Sequence, residues 1–183
     1  MKLQLILQNR LDNNVSEYGQ LNVNPELNYA LFKRFKVIGG YVIGKVRRLD
    51  ASYYTRHQAY AGFSYKLKFG RMALTYRNLL QAQARSVLSS DKGELWSWFE
   101  RNKFTLSYQI NKRVECYLAQ EFNTPFSRFS EMPVNRYRSF IGSQLNLSKK
   151  TYVEAYFLLQ TKFTFKSQPS RDFVYGLTLS HSF

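Results

Sequence analysis

The residues of this chain that could do chemistry are its charges, and they recur at a spacing of two. Arg77, Arg101, Lys103, Arg136 and Arg138 fall on the polar phase of segments in which polar and apolar residues alternate, and so do Glu26, Glu115, Glu121 and Glu154. A period of two places successive side chains on opposite faces of a strand, so cations and carboxylates share one face. If that face is enclosed by a small closed sheet, side chains largely fill the interior. Charges inside it must be paired, because a buried ion left alone costs several kcal/mol. The expectation is a lumenal salt-bridge and hydrogen-bond network built from Arg77, Arg101, Lys103, Glu121, Arg136, Arg138 and Glu154, with opposite charges meeting across neighbouring strands. A sharper reading is a constricted, cation-lined pathway or pocket for a small anionic solute. Arg136 and Arg138, two residues apart on one face, are its first candidates.

Other chemistry finds little material. The chain has two histidines, His57 and His181, and one cysteine, Cys116. A histidine-rich metal site is hard to build from these, and Cys116 has no partner for a disulfide or a zinc-type spacing. Ser180-His181-Ser182 brings serine and histidine together, but His181 sits on the apolar phase with no carboxylate nearby in sequence to orient it. Gly-rich phosphate loops and calcium-loop spacings are absent. Catalytic residues, cofactor and metal are therefore all predicted to be none, and an enzyme is the less favoured reading.

The elements that position these charges are strands. Leu21, Val23, Leu27, Tyr29 and Leu31 alternate with Gln20, Asn22, Asn24, Glu26 and Asn28 over 20–31. Leu3, Leu5 and Leu7 alternate with Gln4, Gln8 and Arg10, with Ile6 the exception on the polar phase. The same arithmetic gives strands at 56–69, 71–81, 98–110, 114–123, 136–147 and 151–162, and along the last dozen residues to Phe183. The stretch 36–47 is apolar with three glycines, and its faces cannot be assigned. That makes ten strands. Their connections alternate in length. Lys33-Arg34-Phe35, Phe69-Gly70-Arg71, Asn111-Lys112-Arg113 and Ser148-Lys149-Lys150 are tight and basic, which suits a solvated rim or contact with anionic headgroups. Longer loops are expected at 12–18, 48–55, 82–97, 124–134 and 163–171, holding Pro125, Pro133 and Pro169. Short turns at one end and long loops at the other describe an up-and-down meander of the outer-membrane type.

Composition narrows the classes further. The 183 residues carry 27 Lys and Arg against 12 Asp and Glu, a formal charge of +15, yet 44% are hydrophobic and 17% aromatic. That much apolar content argues against a disordered polycation. No run of about 18 uncharged apolar residues exists, so no transmembrane helix is expected, whereas a transmembrane barrel stays open. Soluble sandwiches also alternate, but these runs reach about 10–13 residues, near the roughly 9–11 that a tilted strand needs to cross a bilayer. The aromatic residues favour the apolar phase, apart from Tyr60, Tyr117 and Tyr156, and lie away from most of the charge. A single-stranded nucleic-acid site needs both on one face, so no nucleic-acid partner is expected. Aromatics near strand ends, with Trp96 and Trp98, fit the interfacial girdles of a membrane barrel.

Several short segments, in order, resemble one family. They are Phe69-Gly70-Arg71 with Tyr76-Arg77, then Trp98 to Phe104, Gln120-Glu121-Phe122-Asn123, Asn135-Arg136-Tyr137-Arg138 leading to Gly142 and Leu145-Asn146, and Glu154-Ala155-Tyr156 with Gln160. The chain resembles the uncharacterised bacterial outer-membrane β-barrel proteins known as domain of unknown function 2490, of the Bacteroidota type. The resemblance implies an outer-membrane barrel of unknown task, with a signal peptide and an additional extended segment ahead of this chain's first strand. The ending of the chain, with Tyr175, Leu177, Leu179 and terminal Phe183 on one phase, resembles the signal read by the barrel assembly machinery. The combined expectation is all-β, one domain over 1–183: a single antiparallel up-and-down transmembrane β-barrel of about ten strands, twelve being possible in the full-length protein. Its place is the bacterial outer membrane, its partners are the lipid bilayer and, during biogenesis, the assembly machinery, and its role is that of a structural or narrow-pore barrel with a polar, charge-paired lumen. The alternatives are a small outer-membrane enzyme acting on lipid through its long loops, and a soluble basic barrel binding nucleic acid or anionic ligands.

Overall fold

The computed structural model describes residues 1–12, 17–47, 52–84, 96–126, 134–164 and 167–183. They form ten strands: β1 (Lys2–Asp12), β2 (Glu17–Ala30), β3 (Phe35–Arg47), β4 (Tyr53–Phe69), β5 (Met72–Ala84), β6 (Trp96–Gln109), β7 (Val114–Pro125), β8 (Arg136–Asn146), β9 (Thr151–Thr164) and β10 (Ser167–Ser182). Each strand pairs antiparallel with its chain neighbours, and β1 closes on β10 to complete a barrel. The even strand number brings Lys2 and Ser182 to the same end as the tight turns. Closure matters because an open sheet of this length would leave two unpaired edges.

The tight turns have local chemical causes. Asn111 Oδ1 accepts from the backbone N–H of Arg113 at 2.8 Å and of Val114 at 2.9 Å. Ser148 Oγ does the same for Lys150 at 3.1 Å and Thr151 at 3.0 Å. Both are side chains that mimic a backbone turn. Gly70 turns the chain with φ of 62°, a conformation that favours glycine.

Of the connections expected to be long, 163–171 is mostly strand, and the described ends of 12–18 are strand as well. β1 runs to Asp12 and β2 begins at Glu17, while β9 runs to Thr164 and β10 begins at Ser167. Proline misled the reading of 163–171. Pro169 lies within β10, where the β9–β10 register shifts between Ser167 and Ser170, and a bulge tolerates a residue with no N–H to donate. Pro125 likewise closes β7 rather than opening a loop. Pro133 lies outside the described residues.

The two faces follow the alternation with informative exceptions. Leu, Phe, Tyr and Trp side chains cover the outside of every strand. The lumen is less uniformly polar than expected. β3 turns Ile38 and Val42 inward, where they pack with Tyr60 and Leu79, and a second inward cluster joins Tyr117, Phe140, Tyr156, Leu158 and Val174. The inward tyrosines lie over glycines of neighbouring strands. Tyr60 is paired with Gly40, Tyr117 with Gly142 and Tyr156 with Gly176, and a Cβ on any of these glycines would fall 1.9–2.7 Å from the ring atoms. Each glycine is thus a seat for a lumenal ring.

Candidate functional site

The lumen encloses a cavity of about 230 Å³ lined by seven basic and three acidic side chains. A water molecule's share of liquid is about 30 Å³, so this is room for a small solute with part of its hydration shell, not a wide aqueous channel. The charges are arranged in tiers along the barrel axis.

The middle tier is closed on itself. Glu121 on β7 is 1% exposed and accepts at 2.7 Å from Arg101 Nη2 on β6 and at 2.7 Å from Arg138 Nη1 on β8. Arg138 Nε also donates to Gln160 Oε1 at 2.8 Å, and Gln160 Nε2 donates to Asp172 Oδ2 at 3.0 Å. Asp172 in turn meets Lys162 Nζ at 2.6 Å. One carboxylate between two guanidiniums on flanking strands is a direct product of the register, which sets Glu121 opposite Lys103 and Arg138.

A second pair spans the lumen. Glu26 on β2 accepts from Arg77 Nη2 on β5, from Tyr60 OH at 2.8 Å and from Asn28 Nδ2 at 3.0 Å. Two strands separate β2 from β5 in the sheet, so this bond crosses the interior instead of joining neighbours as expected. Glu154 pairs with no cation among the described residues; Tyr117 OH donates to its Oε1. Lys103 Nζ is held over the Phe140 ring, 4.4 Å from its centroid, and 5.9 Å from that of Tyr117. Cation–π attraction takes the place of an ion pair there.

Toward the loop end, level with the Lys162–Asp172 pair, three arginines stand without an ion pair. Arg10, Arg56 and Arg136 form an upper tier, displaced along their strands from Gln8, Gln58 and Arg138 of the tier below. Arg10 Nε donates to Tyr156 OH at 3.2 Å, and Arg56 Nη2 to Asn22 Oδ1 at 3.3 Å. Neither they nor Arg136 forms an ion pair with any described carboxylate. Arg10, Arg56, Arg101 and Arg136 all line the same cavity. The buried Nε atoms of Arg56 and Arg136 have no hydrogen-bond partner, nor do those of Arg77 and Arg101 below them, nor does Asn123 Oδ1, beside Arg136 in the register.

All seven residues expected in the charge network therefore face one cavity, but with unequal fates. Arg77, Arg101, Arg138 and Glu121 are paired, Lys103 and Glu154 rest on aromatic side chains, and Arg136 stays open. Arg136 and Arg138 separate into different tiers, one clamped and one unfilled. Arg10 and Arg56, absent from the predicted set, belong with Arg136. The alternation contained the signal, since Arg10 continues the phase of Gln4 and Gln8 and Arg56 that of Gln58. Tyr175, Leu177, Leu179 and Phe183 all project from the outside of β10 and its end.

No curated protein shows significant sequence similarity to the chain. Solved structures do share its fold. A bacterial polysaccharide outer membrane secretin superposes with a TM-score of 0.58 at 7% identity over 90% of this chain, which spans 57% of that protein's length. An outer membrane channel from Pseudomonas putida F1 gives 0.57 at 8% identity, covering 100% of this chain and 95% of the other. The NanC porin gives 0.56 at 12% identity, covering 97% and 98%. At these identities the likeness concerns the fold, which is that of outer-membrane barrels. A family model matches residues 1–171, and the chain belongs to that family, described as protein of unknown function (DUF2490).

Proposed function

We propose that the protein is integral to the bacterial outer membrane and acts as a narrow barrel that admits small anions from its loop end. The observation that carries this reading is the upper tier: Arg10, Arg56 and Arg136 converge on a polar cavity, and none of them forms an ion pair with a described carboxylate. Rings of arginine are how anion pores select their solutes. Below that tier, the Arg101–Glu121–Arg138 clasp lines one wall and the Arg77–Glu26 bridge crosses the passage, and together they restrict it to small solutes. The apolar outer surface, with Trp96 and Trp98 at its loop end, is matched to the hydrocarbon and interface of a bilayer. The outward row Tyr175, Leu177, Leu179 and Phe183 is a fitting ligand for the assembly machinery.

Planar-bilayer recording tests the reading. Detergent-extracted protein should give small, reproducible conductance steps, and under a KCl gradient the reversal potential should report chloride preference. A cation preference, or a barrel that inserts with a normal heat-modifiable gel shift yet never conducts, would overturn it.

A further inference from the structure

Three of the tight turns share one backbone geometry and differ at one position. In Leu31–Phe35, Ile110–Val114 and Leu147–Thr151 the first two N–H groups both donate to the carbonyl of the fifth residue, at 3.0–3.3 Å. The third and fourth residues are cations in each: Lys33 and Arg34, Lys112 and Arg113, Lys149 and Lys150. At the second position Asn111 and Ser148 each accept two backbone N–H bonds and cap their turns. The β2–β3 turn has Phe32 there instead, a side chain that can accept nothing, and it is 73% exposed. A residue that breaks a local rule without a folding gain marks a position kept for something else.

Phe32 belongs to a groove on the outside of the barrel, lined by Phe32, Lys33, Arg34, Phe35 and Tyr65. Phe35 and Tyr65 stand opposite each other on β3 and β4, on the outward phase, since Ile38 and Tyr60 point inward. Phe35 is fixed in place by stacking on Phe63, centroid to centroid at 5.4 Å. The Arg34 carbonyl accepts from the Lys66 N–H at 2.9 Å, which ties the tip of the turn to β4. Neither Lys33 nor Arg34 forms an ion pair with a described carboxylate, and both are exposed. Along the barrel axis the order is therefore two cations at the tip, then a bare ring, then two rings on the wall.

We propose that this groove binds an anionic phospholipid of the leaflet at the turn end, with its phosphate between Lys33 and Arg34 and its glycerol and upper acyl chains against Phe32, Phe35 and Tyr65. The proposal rests on the outer-membrane reading above, not on the passage of anions. A lipid in its leaflet presents anion, ester and hydrocarbon in the same order as the groove presents cation, exposed ring and wall. A free phosphate would engage the two cations and leave the rings in water. An acidic protein lying across the rim would meet all the basic turns alike and would give no reason for Phe32 at one of them.

Native mass spectrometry of the detergent-extracted protein, on samples that show a heat-modifiable gel shift, tests the proposal. Wild type should retain phosphatidylglycerol over phosphatidylcholine of the same acyl chains, by roughly 30-fold for two cations facing a net anion. K33Q/R34Q should lose that preference. F32N, which restores the cap found in the Asn111 turn, should release phosphatidylglycerol more readily while folding at least as well. K112Q/R113Q, the same change of charge at a capped turn, should retain lipid as wild type does. Equal retention of the two lipids, an equal loss in K112Q/R113Q and K33Q/R34Q, or displacement of the lipid by an excess of inorganic phosphate would overturn the proposal. Protein that needs no detergent and shows no gel shift would instead defeat the membrane reading on which it stands, and a barrel that retains lipid yet never conducts would defeat the anion pathway alone.

Discussion

The middle and upper tiers of the lumen contain the same guanidinium groups a few ångströms apart, yet they are built on opposite terms. In the middle tier Arg101 and Arg138 share the Glu121 carboxylate, and every charge has a geometric reason to stay. In the upper tier Arg10, Arg56 and Arg136 line one space without an ion pair to a described carboxylate, and the Nε donors of Arg56 and Arg136 go unused. The first arrangement stabilises the barrel. The second lacks that compensation and is expected to contribute little to stability, which fits the anion-admitting role proposed above.

Substitutions should separate the two tiers. The largest effect is expected for Glu121→Ala, which strands two buried guanidiniums and should cost about 3–5 kcal/mol, read as a lowered midpoint of the heat-modifiable transition or of urea unfolding in detergent. Tyr60→Phe removes one donor from Glu26 and should cost about 1.5–3 kcal/mol, the range for hydrogen bonds to charged groups, in the same assay. Gly176→Ala tests the seat beneath Tyr156. Its Cβ would fall 1.9 Å from the ring, so the ring must shift, at about 1–3 kcal/mol, and Tyr156 can then no longer accept from Arg10. The smallest stability effect is expected in the upper tier itself. Arg56→Gln combined with Arg136→Gln should change stability by less than about 1 kcal/mol, or raise it, while moving the reversal potential toward the unselective value. Loss of stability comparable to Glu121→Ala would erase the distinction between tiers.

Much of this was legible in the sequence because a closed barrel leaves little freedom once the alternation is set. The phase that holds Arg101 and Lys103 had to share a face with Glu121 in a meander, whatever the exact register. The tiers were not legible. They depend on how far each strand slides past its neighbour, and alternation is unchanged by a slide of two residues. Arg136 and Arg138 looked equivalent for that reason. The cross-lumen bond of Arg77 to Glu26 was also hidden, since it joins strands that are not neighbours and is set by the curvature of the whole cylinder. The strand through 163–171 was not legible because Pro169 sits at a β-bulge, which absorbs a residue with no N–H to donate.

The seam between β1 and β10 bears on how such a cylinder comes into being. Nine of the ten pairings join strands adjacent in the chain, and only this one joins residues from opposite ends of it, from Gln4–Ser182 to Leu11–Tyr175. Local hairpins form with short loops, whereas the seam must gather the entropy of almost the entire polypeptide at once. The amide of Gln4, donating to Ser180, and the N–H of Phe183, donating to Leu3 at 3.0 Å, are therefore bonds of the last step. Until they form, the molecule is a curled ribbon with two sticky edges, and no lumen exists to hold an ion. Closing that one seam turns nine hairpin pairings into a vessel.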